Sequence, residues 1–66
     1  YASSRKDFHN KVRISLKEAR ESEYWLFFLF EKLNDMQFHE LKEEAVTLIK
    51  ILTTIAMKTD PDKTHS

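Results

Sequence analysis

Hydrophobic residues recur at helical spacing through most of the chain. In the first half they are three, four or seven residues apart, which places them on one side of an α-helix. The positions of this first stripe are Phe8, Val12, Leu16, Ala19, Leu26, Phe30 and Leu33. A similar stripe in the second half comprises Phe38, Leu41, Ala45, Leu48, Leu52 and Ile55, with Ile49 and Ala56 at its edge. The pattern predicts two long amphipathic helices.

Capping residues mark where the first helix begins and ends. Ser4 followed by Asp7 is an N-cap pattern, with a short carboxylate in place of the usual Glu. Asn34 tolerates the left-handed backbone that ends a helix when no Gly is available. These signals predict a helix over about residues 5–33 and a turn at residues 34–36.

The second helix is predicted over about residues 37–58. Asp35 is suited to cap it, and Lys58 lies in the last turn, where a cation is favourable. Pro61 ends the pattern, so the polar tail, residues 59–66, is expected to fray. Because the connection is so short, the two helices should lie antiparallel. The predicted fold class is therefore all-α, an antiparallel two-helix hairpin.

One apolar segment, residues 24–30, is unbroken and cannot belong to a single helix face. Leu26 and Phe30 belong to the first stripe, whereas the others point elsewhere. The C-terminal half of the first helix is thus apolar nearly all round, which is typical of a helix buried on several sides. The second face is predicted to contact another subunit. The predicted interface residues are Ile14, Tyr24, Trp25, Phe27 and Phe28.

Size and composition narrow the possible functions. A hairpin of 66 residues leaves most of each stripe half covered, so we expect it to form half of an up-and-down four-helix bundle. The absence of Gly excludes glycine-rich phosphate loops, and the absence of Cys excludes thiolate metal sites. No signal peptide is recognisable, and no apolar segment approaches the roughly 20 residues of a membrane span. A cytoplasmic protein without a membrane partner is expected.

Charge is balanced overall, with 11 basic and 11 acidic residues, so only a local cluster can indicate a polyanion partner. One exists on the first helix, within about 60° of arc. This basic stripe consists of Lys6, Arg13, Lys17 and Arg20. It could follow the phosphates of RNA or DNA. The alternative is a solvated face crossed by Glu18 and Glu21, in which Lys17 and Glu21 form an ordinary pair.

Other polar residues do not form a catalytic or metal-binding pattern. His9, His39 and His65 lack the spacing of a helical zinc site and are interpreted as surface residues. The carboxylates at residues 40, 43 and 44 resemble the charged outer face of a helix. We therefore expect no enzyme activity, no metal, no cofactor and no small-molecule substrate. Glu23 interrupts the first apolar stripe and is expected to have a polar partner or access to water.

Two segments resemble one known family. Residues 4–26, SRKDFHNKVRISLKEARESEYWL, resemble the third helix of the bacterial four-helix bundle proteins encoded in intervening sequences of 23S ribosomal RNA genes. That helix typically follows S-K-K-D-F-x-x-K-L-x-I-A-L-K-E-A-R-E-T-x-Y-W-L. Residues 39–59, HELKEEAVTLIKILTTIAMKT, resemble the fourth helix, E-E-L-x-x-E-A-x-E-L-I-K-I-L-x-x-I. The KEARE-x-x-YWL and LIKIL segments are the most specific parts of the match.

The resemblance implies that the chain corresponds to the C-terminal half of a four-helix bundle, because it contains no counterpart of the family's first two helices. The other half would be a further part of the protein or a second hairpin. Relatives form ring-shaped homopentamers, which implies a homo-oligomer here. A related accessory protein of diversity-generating retroelements binds nucleic acid, but no established activity comes with the family itself.

Three functions follow as expectations. The first is a non-enzymatic, homo-oligomeric bundle protein that binds RNA or DNA through the basic stripe. The second is a structural or regulatory protein-interaction module without a nucleic-acid role. A bundle enzyme with its catalytic groups in the other half of the bundle is the weakest alternative.

Overall fold

A computed structural model describes residues 4–63, and in this part of the chain all regular structure is helical, with no β-strand. Helix α1 spans Arg5–Leu33 and helix α2 spans Met36–Thr59, and a short 3-10 helix follows at Pro61–Lys63. The two long helices pack side by side. The all-α hairpin predicted from the sequence is confirmed.

Local hydrogen bonds explain the helix boundaries. The side chain of Ser4 accepts a hydrogen bond from the backbone N–H of Asp7 (3.1 Å), which caps α1. At the other end, Asn34 takes the left-handed conformation (φ 53°, ψ 41°), and its N–H donates to the carbonyl of Phe30 (2.8 Å). Both features were predicted, because each depends on residues close in sequence.

The connection between the helices is shorter than predicted. Asp35 accepts a hydrogen bond from the backbone N–H of Gln37 (2.9 Å) and is the N-cap of α2. Since the first helical residue follows the N-cap directly, Met36 lies in the helix and not in the turn. Asn34 and Asp35 alone therefore join the two helices.

Regular helical structure continues past the predicted helix end at residue 58, into the segment that is expected to fray. Thr59 is the last residue of α2, and Pro61–Lys63 form the 3-10 helix, which contacts α1. Hydrogen bonds hold this end: the Arg5 guanidinium donates to the carbonyl of Lys58 (3.3 Å), and the backbone N–H of Asp62 donates to the side chain of Asp60 (3.0 Å). Residues 64–66 of the predicted tail lie outside the described residues.

The buried centre of the hairpin is small and lies in the first half of α1. Its apolar members are Val12, Leu16 and Ala19, as the first stripe predicted. The ends of that stripe differ from the prediction, because Phe8 and Leu33 are exposed. They lie near the two ends of α1. The fourth buried residue is His9, predicted to be at the surface.

Helix α2 contacts α1 through only part of its apolar side. No residue of α2 is fully buried, and Leu41 and Leu48, expected in the core, are about half exposed. The apolar side of α2 is wider than one neighbouring helix can cover. The half-buried apolar positions are Phe38, Ala45, Val46, Ile49, Leu52, Ile55 and Ala56.

The hairpin is one helix layer thick. Its principal extents are 47 × 25 × 13 Å, and the shortest is close to the 10–12 Å diameter of a single helix. Its radius of gyration is 15.0 Å, whereas a compact domain of this length would have about 11 Å. Both broad faces of the layer are therefore open.

Candidate nucleic-acid interface

The four residues of the basic stripe lie on α1, and all of their side chains are exposed. Arg13, Lys17 and Arg20 line an open groove along this helix. Lys6, almost two turns before Arg13, does not line it. The structure thus brings three of the four predicted cations together at one surface.

The same groove contains three of the predicted interface residues. Ile14, Tyr24 and Trp25 line it beside the cations, together with Asn10, Leu16 and Glu21. We refer to it as the basic groove. The sequence assigned the cations and the aromatic residues to separate surfaces, but long side chains on neighbouring faces of α1 meet here. Whatever binds in the basic groove would contact both groups.

The aromatic end of the basic groove is ordered by perpendicular ring contacts. The ring centroids of Tyr24 and Trp25 are 5.3 Å apart at an interplanar angle of 76°, and those of Trp25 and Phe28 are 5.8 Å apart at 85°. Such edge-to-face pairs are a favoured aromatic geometry. Tyr24 is nevertheless 61% exposed and Trp25 57% exposed. These rings are positioned by their neighbours while most of their surface stays accessible.

The other two predicted interface residues lie outside the basic groove. Phe28 contacts Trp25, and the Lys32 ammonium lies 5.5 Å from the Phe28 ring centroid. Phe27 is 6.0 Å from the ammonium of Lys42, a cation on α2. Distances of about 6 Å or less allow cation–π attraction. All five predicted interface residues are exposed, so the hairpin leaves them available to a partner.

Glu23 is half-buried and retains access to water, in agreement with the expectation for this carboxylate. It lines a small recess between the helices, and Arg20 and Lys42 are part of the same lining. Two cations and one carboxylate thus share this recess. It opens on the side of the hairpin where Tyr24 also lies.

The expected pair of Lys17 and Glu21 is not formed. Within residues 4–63 the ion pair present joins Lys42 and Glu43 (3.3 Å), neighbours on α2. The cations of the basic groove are therefore not neutralised by contact with a carboxylate. Glu21 lines the groove beside them, and exposed ion pairs contribute little to stability, so the polyanion site on this face stays a prediction.

A second groove, not predicted, runs between the helices. It is lined by Leu48 and Leu52 of α2 and by small or polar residues of α1, namely Ser15, Glu18, Ala19 and Ser22. We call it the leucine groove. The sequence feature that could have indicated this groove is the width of the apolar side of α2. On that side Leu41, Leu48, Ile51 and Ile55 follow helical spacing beside the contact with α1.

The histidines are separated by the fold. The Nδ1 atom of His9 lies 3.1 Å from the hydroxyl of Thr59, whereas His39 packs against Phe30 with ring centroids 5.3 Å apart. His65 lies outside the described residues. No group of three or more His, Asp or Glu residues in the described part of the chain could hold a metal ion. Neither α1 nor α2 is long and apolar enough to cross a membrane.

Comparisons with protein-family models, with curated proteins and with solved structures give no match for this chain. The resemblance to the proteins of 23S ribosomal RNA intervening sequences therefore stays a prediction based on the KEARE-x-x-YWL and LIKIL segments.

Proposed function

We propose that this chain is a non-enzymatic assembly protein of the 23S ribosomal RNA intervening-sequence type, which pairs with further copies to complete a four-helix bundle and binds nucleic acid through its basic stripe. The observation that carries the proposal is the single-layer architecture. Two long helices expose apolar side chains on both broad faces of a layer 13 Å thick. A second layer is the common way to cover such faces.

The exposed area supports this proposal. The accessible surface is 5332 Å², whereas a compact monomer of this mass would expose about 4,400 Å². The excess of about 900 Å² is close to the roughly 800 Å² that each partner buries in a standard interface. Pairing of two hairpins would thus give each copy the surface of an ordinary globular protein.

The face containing the leucine groove is the better candidate for bundle pairing. Leu41, Leu48 and Ile51 form an exposed apolar row on α2. On α1 the small residues Ser15, Ala19 and Ser22 leave room beside that row. Large side chains of one helix packing between small ones of another is the arrangement found in bundle cores.

Charge at the two ends of the hairpin favours antiparallel pairing of copies. Near the turn, acidic residues outnumber basic ones, with Glu31, Asp35, Glu40, Glu43 and Glu44 against Lys32 and Lys42. At the end of the hairpin away from the turn, which we call the open end, basic residues outnumber acidic ones in the first turns of α1. A two-fold axis through the leucine groove would bring the acidic end of one copy to the basic end of the other.

The nucleic-acid part of the proposal is supported by the exposed, unpaired cations of the basic groove. Binding should be salt-dependent, because phosphate contacts by Lys and Arg release counterions. The test is RNA binding by the wild-type oligomer over a range of salt concentrations, compared with the R13E/K17E double variant. We expect the variant to lose binding while its helicity and its sedimentation stay unchanged. Equal binding by both proteins would contradict the assignment.

The second candidate function is a protein-interaction module. The observation in its favour is the set of exposed aromatic residues beside the cations, since Tyr, Trp and Arg are the residues most enriched at interface hot spots. A wild-type oligomer that binds no RNA or DNA at low salt would favour this function.

A further inference from the structure

We propose that the basic groove binds single-stranded nucleic acid, with the cations holding the phosphates and Trp25 stacking on a base. This inference rests on the nucleic-acid part of the proposed function and specifies its ligand. It depends on one juxtaposition: Arg13, Lys17 and Arg20 line the same groove as Tyr24 and Trp25.

The charges of the groove suit a polyanion. Three cations line it against one carboxylate, Glu21, and neither Lys17 nor Arg20 is engaged in an ion pair within the described residues. Arg13 and Arg20 are seven residues apart, or about 10 Å along the helix axis. With Lys17 between them, they form a row of cations that can follow the backbone of an extended strand.

The groove is open, and it is about as large as the largest small-molecule pockets. Its volume is about 1070 Å³, at the upper end of the roughly 300–1,000 Å³ typical of pockets for drug-sized ligands. It runs along one side of α1, so that Arg13 and Trp25 lie about 18 Å apart along the helix axis. This shape fits a chain that lies along the helix.

Trp25 is placed to provide a stacking surface. Its ring is braced by perpendicular contacts with Tyr24 and Phe28, yet more than half of the residue is exposed. Single-stranded nucleic acids are bound by this combination of a cationic track and aromatic platforms. In a duplex the base faces are already stacked, so Tyr24 and Trp25 would find no base to contact.

The experiment uses the intact chain and its own fluorescence, because Trp25 is the one tryptophan in the sequence. Four probes are titrated at low salt: an oligo(dT) strand of about 12 nucleotides, a duplex of the same length, an abasic strand of the same length and polyglutamate. We expect oligo(dT) to bind most tightly and to quench Trp25 emission. The abasic strand should bind more weakly and leave the emission unchanged.

Two variants identify the residue responsible. Trp25→Leu should weaken oligo(dT) binding about 5-fold or more, the range found when a stacking aromatic residue is removed, and should leave binding of the abasic strand unchanged. Phe8→Leu is the matched control, since Phe8 is an exposed aromatic residue of α1 outside both the groove and the predicted interface, and it should bind like the wild type. Binding by these variants is followed by anisotropy of labelled strands.

Each contrary outcome has a separate meaning. Equal affinity for oligo(dT), duplex and abasic strand, without quenching, would overturn the stacking assignment and leave the proposed nucleic-acid binding intact. Tighter binding of polyglutamate than of oligo(dT) would overturn the stacking assignment and would favour an acidic protein partner. Altered sedimentation of the Trp25→Leu variant would show that Trp25 makes subunit contacts, and this result would also overturn the stacking assignment. If no nucleic acid binds, the nucleic-acid part of the proposed function fails together with it.

Discussion

His9 and Thr59 join the open end of the hairpin, with 3.1 Å between the Nδ1 atom of the imidazole and the Oγ1 atom of the hydroxyl. Thr59 donates its hydroxyl proton to the carbonyl of Ile55 (2.7 Å), so Nδ1–H of His9 is the donor in the contact between the helices. Together with the bond from Arg5 to Lys58, this contact connects the first turns of α1 to the last turn of α2. The turn residues connect the helices at the opposite end.

Replacement of His9 should destabilise the hairpin through loss of this contact. We expect His9→Ala to lower the free energy of unfolding by about 1–3 kcal/mol, because the ring is buried and Thr59 loses its donor. The neighbouring exposed Asn10→Ala should change it by less than about 0.5 kcal/mol. Urea denaturation at fixed protein concentration measures both values. A double-mutant cycle with Thr59→Val should give a coupling energy of about 0.5–1.5 kcal/mol, and strict additivity would contradict the hydrogen bond.

The left-handed conformation of Asn34 should make the turn selective for residue type. Asn34→Ala should lower the free energy of unfolding by about 1–2 kcal/mol, since a residue with a Cβ and no local hydrogen-bonding group is strained at positive φ. Asn34→Gly avoids that strain and is the matched control, expected within about 0.5 kcal/mol of the wild type. Chemical denaturation midpoints compare the three proteins. Equal losses in both variants would show that the Asn side chain matters and the backbone conformation does not.

Self-association should depend on the row of exposed apolar residues beside the leucine groove. Sedimentation at micromolar concentration should show an oligomer for the wild type and a smaller species for Leu48→Asp, because the variant would bury an unpaired charge at the bundle interface. Lys50→Asp, an exposed position on the same helix, should retain the wild-type assembly.

Thermal unfolding provides a second measurement if Leu48→Asp does not fold. The wild-type Tm should rise with protein concentration, as expected when folding is coupled to association. A wild-type monomer with a concentration-independent Tm would contradict the proposed assembly. A Leu48→Asp oligomer identical to the wild type would show instead that the leucine groove is not the pairing face.

Features that depend on neighbours in sequence were predictable, whereas those that depend on packing were not. Ser4 and Asn34 marked the ends of α1 because capping involves residues within one turn. The rotation of α2 about its axis could not be predicted, because the broad apolar side allowed several contacts with α1. Leu48 therefore lies at a groove where the sequence placed it in the core.

The remaining differences between the predictions from sequence and the structure come from the length of side chains and from hydrogen-bond partners distant in sequence. The angular positions of Arg20 and Trp25 around the helix assigned them to separate faces. Such angles give the directions of the Cβ atoms and ignore the length of the side chains. The long side chains of both residues line one groove. His9 was interpreted as a surface residue because it is polar, whereas the position one turn before Val12 faces α2 and supplies Thr59 as an acceptor. A hydrogen-bond partner 50 residues away along the chain is not visible in a local pattern.

The two-residue connection through Asn34 and Asp35 determines whether the hairpin closes before or after two copies pair. A link this short keeps contacts near the turn local, and helical folds with local contacts form in microseconds to milliseconds. Two copies at micromolar concentration meet far more slowly, at about 0.1–10 per second for typical association rate constants. Hairpins would therefore close before they pair. Formation of the bundle would follow second-order kinetics, and its half-time would halve when the protein concentration doubles.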